Sequence, residues 1–104
     1  MNTRTKQTDI DAKIRAVVHN RDNRRCVYCG RTDKPIELAH YISRAQGGLG
    51  IPQNLISLCP ECHGEYDGEQ RSKIRGYLAG YLRAAYPDWE ERQLIYRKEL
   101  GYAS

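Results

Sequence analysis

A chain of 104 residues and 12.0 kDa has room for one domain, which on folding hides about two-thirds of the surface its unfolded form exposes. With 39% hydrophobic residues, eight Tyr, one Trp, no Phe and a mean hydropathy of -0.79, the core is thin and a covalent or metal staple would strengthen it. The N-terminal run MNTRTKQTDIDAKIR is followed by no apolar stretch, which argues against a secretory leader or a membrane-spanning helix and for a cytoplasmic protein with no membrane partner.

The net charge is +4, and its distribution says more than its total. Residues 1–35 carry +5, residues 36–68 carry -3 and residues 69–104 carry +2. Basic flanks around an acidic middle suit a polyanion gripped at the edges and a divalent cation held at the centre. Ordinary solvated surface charge gives the same pattern, so charge alone does not choose between them.

In chain order, Ile10, Ile14, Val17, Val18 and Arg21 recur at helical spacing and predict an N-terminal helix over about residues 9–21. The short apolar run Ile36–Ile42 follows Pro35 and reads as a strand with His40 near its end. Ser43–Gln53, with Gly47, Gly48, Gly50 and Pro52, reads as a loop needing close backbone approach. Asn54–Leu58 is a second strand. Pro60 can open a short helix that Gly68 ends. Ile74, Tyr77, Leu78, Tyr81, Leu82 and Ala85 form the stripe of an amphipathic helix over about residues 70–86, ended by Pro87. Asp88 followed by Glu91 resembles a capping box, predicting a last helix over about residues 89–100 with Gly101 at its end.

All four cysteines fall in two pairs, Cys26-x-x-Cys29 and Cys59-x-x-Cys62. That is the spacing of two knuckles converging on one tetrahedral ion. Four thiolates fill the sphere of a Zn²⁺ ion and leave no place for water or substrate, so the metal would be structural and supply folding free energy. Two disulfides would need an oxidising compartment, and an iron–sulfur cluster is the minor alternative.

Between the cysteine pairs lie His40, Asn54 and His63, with Gly47 and Gly48 in the intervening loop. In this arrangement the segment resembles the HNH, or ββα-metal, nucleases, over residues 26 to about 68. The stretch AHYISRAQGGLGIPQNLISLCPECH is especially similar to small phage and prophage proteins of that family, some of which act beside the DNA-packaging terminase. The resemblance implies an α+β domain, a zinc-stapled ββα core with one helix before it and two after. It implies a metal-dependent endonuclease on DNA, in the host cell if phage-encoded. It assigns His40 as general base, Asn54 as the brace of the loop and His63 as a ligand of the catalytic metal. Asp67, four residues on and so on the same helical face, is a second ligand.

The chain departs from the family pattern at Ala39, where many members carry Asp or His as a further ligand. Glu37 shares that strand face, but two residues displace it by about 6.6 Å. The expected ligand set is therefore His63 and Asp67, with waters and the substrate phosphate completing it. Mixed N and O donors leave Mg²⁺, Mn²⁺, Ni²⁺ and Zn²⁺ open, with Mg²⁺ the choice on abundance. Arg44, Arg24 and Arg25 flank the centre and are candidates for phosphate contacts. The competing function is a zinc-stabilised DNA-binding or terminase-docking module that has lost catalysis with the ligand at position 39. His19 reads as surface.

Overall fold

A computed structural model of the chain describes residues 7–96. Helix α1 spans Ala12–Arg21, strand β1 Glu37–His40, strand β2 Leu55–Leu58, helix α2 Pro60–Tyr66 and helix α3 Arg71–Ala85. The result is the expected α+β architecture, with β1, β2 and α2 forming the ββα unit.

Local chemistry sets these boundaries. The Asp11 side chain accepts from the Ile14 amide at 2.8 Å and starts α1 three residues later than the periodicity alone suggested. Pro60 occupies the first turn of α2, and the Cys59 thiol caps it by accepting from the Cys62 amide. Strands β1 and β2 pair antiparallel with Glu37 opposite Leu58 and His40 opposite Leu55. This register places His40 at the loop end of the hairpin. Helix α2 follows β2 after one residue, so His63 comes back over the start of β1.

The larger core lies where α2 and α3 meet one face of the hairpin, around Ile56, Leu58, Tyr66, Ile74, Leu78 and Leu82. Leu38 and Leu55 pack on the other side with Val18 of α1. The α3 stripe is buried at Ile74, Leu78 and Leu82, while Tyr77 stays half exposed and packs edge-on against Tyr28.

The last helix expected over residues 89–100 is not formed in its described part. Glu91–Leu94 makes a single 3₁₀ turn and Ile95 forms a β-bridge with Gly48; residues 97–100 lie outside the described residues. Tertiary partners take the groups a helix would use. The Leu94 carbonyl accepts from the Leu49 amide at 2.7 Å, and the Tyr96 amide donates to the Gly47 carbonyl at 2.8 Å. Glu91, read as the reciprocal member of a capping box, instead bonds Tyr41 and Arg75.

One polar network in the core was not visible as a motif. Asp22, with a fully buried side chain, accepts from Arg21 Nε at 2.7 Å, the Ser57 amide at 2.9 Å and the Tyr81 hydroxyl at 2.6 Å. Arg21 also donates to the carbonyls of Pro52 and Leu55. Burial would raise the Asp22 carboxyl, but these donors, Arg21 first, hold it below the usual carboxylate range. The pair ties α1 to β2 and α3. Replacing Asp22 by Ala strands the Arg21 charge, and we expect a loss of about 3–5 kcal/mol in urea unfolding. A change under about 1 kcal/mol would show the network to be dispensable.

Candidate active site

The four cysteine sulfurs all lie within 4.8 Å of one another, and none is in a disulfide. Cys29 Sγ and Cys59 Sγ are 3.8 Å apart. Sulfurs at about 2.3 Å from a tetrahedral ion stand about 3.8 Å from each other, whereas a disulfide needs about 2.05 Å. The cluster therefore fits a structural zinc. The knuckles carry amide donors aimed at sulfur, Cys29 N to Cys26 Sγ at 3.4 Å and Cys62 N to Cys59 Sγ at 3.5 Å. Burial raises the Cys26 thiol, but such donors outweigh it and bring it down to about 7, whereas burial holds the Cys59 and Cys62 thiols above the ordinary thiol value until a cation is there to offset it. The Val27 amide donates to the Ser57 carbonyl at 2.9 Å, so the first knuckle is fastened to β2.

On the hairpin's outer side a cleft of about 310 Å³ is lined by Ile10, His40, Arg44, His63, Asp67 and Arg71, among others. The structure thus brings together four of the sequence-predicted residues. Asn54 is fully buried behind them and braces the loop at three points. Its Oδ1 accepts from the Ile42 amide at 2.8 Å, and its Nδ2 donates to the carbonyls of Ile42 at 3.1 Å and Leu49 at 2.9 Å. Gly48 is required by this closeness, because a Cβ there would sit 1.7 Å from the Ile42 carbonyl oxygen.

His40 is half-buried, and its Nε2 lies 3.0 Å from the Thr8 carbonyl oxygen. A carbonyl only accepts, so Nε2 carries the hydrogen and the neutral ring keeps its lone pair on Nδ1. Thr8 belongs to the segment before α1, which lies against the loop of residues 43–53. The Gly50 amide donates to the Gln7 carbonyl at 3.0 Å, and Asp9 pairs with Arg44. A Cβ on Gly50 would come 2.0 Å from the Asp9 carbonyl oxygen, so the loop glycine makes room for the segment that orients His40. Sequence reading missed this, since Thr8 is 32 residues from His40 and acts through its backbone.

His63, on α2, has a carboxylate at each ring nitrogen. Glu37 Oε1 lies 2.8 Å from Nδ1, and Asp67 Oδ2 lies 3.8 Å from Nε2. Asp67 caps the C-terminus of α2 and is exposed. Ala39 is buried at 1% exposure and contributes a methyl to the core. Among the described residues only the four cysteines bring three or more such donors within reach of one ion. His63 and Asp67 are therefore a two-donor pair, one N and one O, suited to a divalent cation whose remaining ligands come from solvent or substrate.

Arg71 was not singled out from the sequence, although His63, Asp67 and Arg71 repeat every four residues. It opens α3, stacks 4.4 Å over the Tyr66 ring and donates to the Tyr66 carbonyl at 3.2 Å, which holds its guanidinium at the cleft. Arg24 and Arg25 are exposed near the end of α1 and do not line the cleft; Arg24 donates to Asn20 Oδ1 at 3.0 Å. His19 is half-buried beside Ser57, not on open surface.

Residues 26–68 match the HNH endonuclease family. The chain is also similar to anaredoxin of Nostoc sp. strain PCC 7120, with 32% identity over 66 residues, covering 62% of this chain and 87% of that protein. Residues 26–68 are therefore similar to an HNH endonuclease domain. The matched segment runs from the first knuckle to the end of α2, so the HNH core comprises both knuckles, the hairpin and its braced loop. Helices α1 and α3 lie outside it. No helix among the described residues is long and apolar enough to cross a membrane.

Proposed function

We propose that the protein is a metal-dependent DNA endonuclease that hydrolyses phosphodiester bonds at the His40 cleft. The observation that carries this reading is the shared cleft itself, in which a base with its free nitrogen defined, a nitrogen–oxygen donor pair and two arginines converge on about 310 Å³.

Hydrolysis needs a deprotonated water in line with the leaving 3′ oxygen and a counter to the charge that grows on phosphorus. His40 takes the water proton at Nδ1, the nitrogen that the Thr8 carbonyl leaves unprotonated. His63 and Asp67 would hold a Mg²⁺, Mn²⁺ or Ni²⁺ ion, which supplies Lewis-acid stabilisation of the phosphoryl oxygens and the leaving group. Arg71, already oriented by Tyr66, and Arg44 grip the flanking phosphates. Arg44 now pairs with the Asp9 carboxylate, an anion that a phosphate would displace. Asn54 takes no part in the chemistry; it holds the loop that carries Ser43 and Arg44.

A labelled DNA duplex incubated with the zinc-loaded protein tests this. Cleavage to 5′-phosphate and 3′-hydroxyl ends is expected in Mg²⁺, Mn²⁺ or Ni²⁺, none in EDTA, and none with His63→Ala. Salt-sensitive binding of the duplex without cutting in any of these metals would replace the reading with that of a binding module, the consequence of losing the donor at position 39.

A second reading attaches to the four thiolates, because tetrahedral sulfur suits iron as well as zinc and the similar protein is named anaredoxin. Metal analysis of the purified protein separates them: one zinc per chain supports the structural role, and iron with visible absorbance a redox one.

A further inference from the structure

The two carboxylates on His63 stand at distances that differ in kind. Glu37 Oε1 at 2.8 Å from Nδ1 is a hydrogen bond. Asp67 Oδ2 at 3.8 Å from Nε2 is too long for one. It falls within the span open to two donors of one cation, which at bond lengths of about 2.1 Å runs from about 3.0 Å at a right angle to about 4.2 Å when opposed.

A carboxylate only accepts, so the bond to Glu37 places the hydrogen on Nδ1, and the neutral ring then keeps its lone pair on Nε2, toward Asp67. We propose that Glu37 is a positioning residue of this site: it fixes the tautomer and orientation of His63 so that Nε2 and Asp67 face one ion together. Glu37 stands outside the ligand set, on the opposite edge of the ring. This deepens the reading above and rests on His63 and Asp67 being the metal donors.

The fold gives Glu37 this place. It begins β1 opposite Leu58, and α2 turns back from the end of β2, so the first residue of one strand meets the fourth residue of the helix. The buried methyl of Ala39 leaves the site with two protein donors, His63 of α2 and Asp67 at its C-cap. With so few, the orientation of one imidazole has a large effect on affinity. Hydrogen-bonded partners behind metal-ligating histidines contribute about 10–100-fold in metal affinity.

The test uses the full zinc-loaded chain at one pH, comparing wild type, Glu37→Ala, Glu37→Gln and Asp67→Ala. Two quantities are read: Mn²⁺ affinity by calorimetry, and the ¹⁵N shifts of the His63 ring without added Mn²⁺. Wild type should show the Nδ1–H tautomer. Glu37→Ala should shift the ring toward Nε2–H and weaken Mn²⁺ binding about 10–100-fold. Glu37→Gln, whose amide oxygen still accepts from Nδ1–H, should keep the tautomer and stay within a few-fold of wild type. Equal loss of affinity in Gln and Ala variants with the tautomer unchanged would make Glu37 a direct ligand and overturn the proposal. So would a Glu37→Ala protein identical to wild type in both readouts. If wild type binds no Mn²⁺, or Asp67→Ala binds as well as wild type, the metal reading itself fails, and the ring shifts still decide whether Glu37 sets His63.

Discussion

Replacing His40 by Ala is expected to lower metal-dependent DNA cleavage by about 10²–10⁴-fold while leaving DNA binding and fold in place. The large loss follows from the proposed mechanism, in which His63 and Asp67 serve the metal, Arg44 and Arg71 the phosphate, and His40 of the same cleft is the base. The fold should survive because His40 is only half-buried and its hydrogen bond to Thr8 joins a peripheral segment. Its pH dependence gives an independent check. Burial holds the His40 imidazole below its ordinary 6.5; the Thr8 carbonyl opposes this, Arg44 and His63 reinforce it, and Asp9 opposes it again. The base works only when neutral, and a lowered pKa keeps it neutral further into acid. The acid limb of kcat/KM should therefore fall below pH 6.5 and be missing from the residual activity of His40→Ala. An acid limb above 6.5, or one unchanged in the variant, would assign the proton acceptor elsewhere.

Stripping the four-cysteine metal should unfold the protein. Structural zinc in small domains contributes about 10–16 kcal/mol of apparent folding free energy, which matches or exceeds the about 5–15 kcal/mol that a whole domain retains. Here the cluster joins a knuckle with no strand or helix of its own to the β2–α2 junction. Cys59 has two roles, since its sulfur also caps α2. Cys59→Ser or exhaustive chelation should remove the metal, the cooperative thermal transition and the near-UV circular dichroism together. A metal-free chain melting at the wild-type temperature would show that the apolar core suffices without the staple.

The features legible in the sequence were those fixed by short spacings. The two Cys-x-x-Cys pairs announced their convergence, and the resemblance carried by His40, Asn54 and His63 implied one site, where the structure places His40 and His63 in one cleft with Asn54 buried behind the loop. The α3 stripe declared its buried face for the same reason. What stayed hidden depended on distant partners. The capping-box pattern at Asp88 and Glu91 was locally sound, but Tyr41, Arg75 and the backbone at Gly47 and Leu49 compete for those groups. Arg21 sat on the apolar stripe of α1 because it meets Asp22, Pro52 and Leu55, a set spread over 34 residues of chain. The Thr8 carbonyl that orients His40 is a backbone atom, and no side-chain pattern records it. Glu37 could be placed on the face of Ala39, but its bond to Nδ1 of His63 came only with the return of α2 over β1.

The measurement that tests the central claim most directly is conversion of supercoiled plasmid to nicked or linear DNA by the zinc-loaded wild type in Mg²⁺, Mn²⁺ or Ni²⁺, beside His40→Ala and an EDTA control. The account predicts metal-dependent conversion by wild type and near-complete loss in both controls. Conversion that His40→Ala performs at the wild-type rate, or a wild type that binds the plasmid and leaves it intact in every metal, would contradict it.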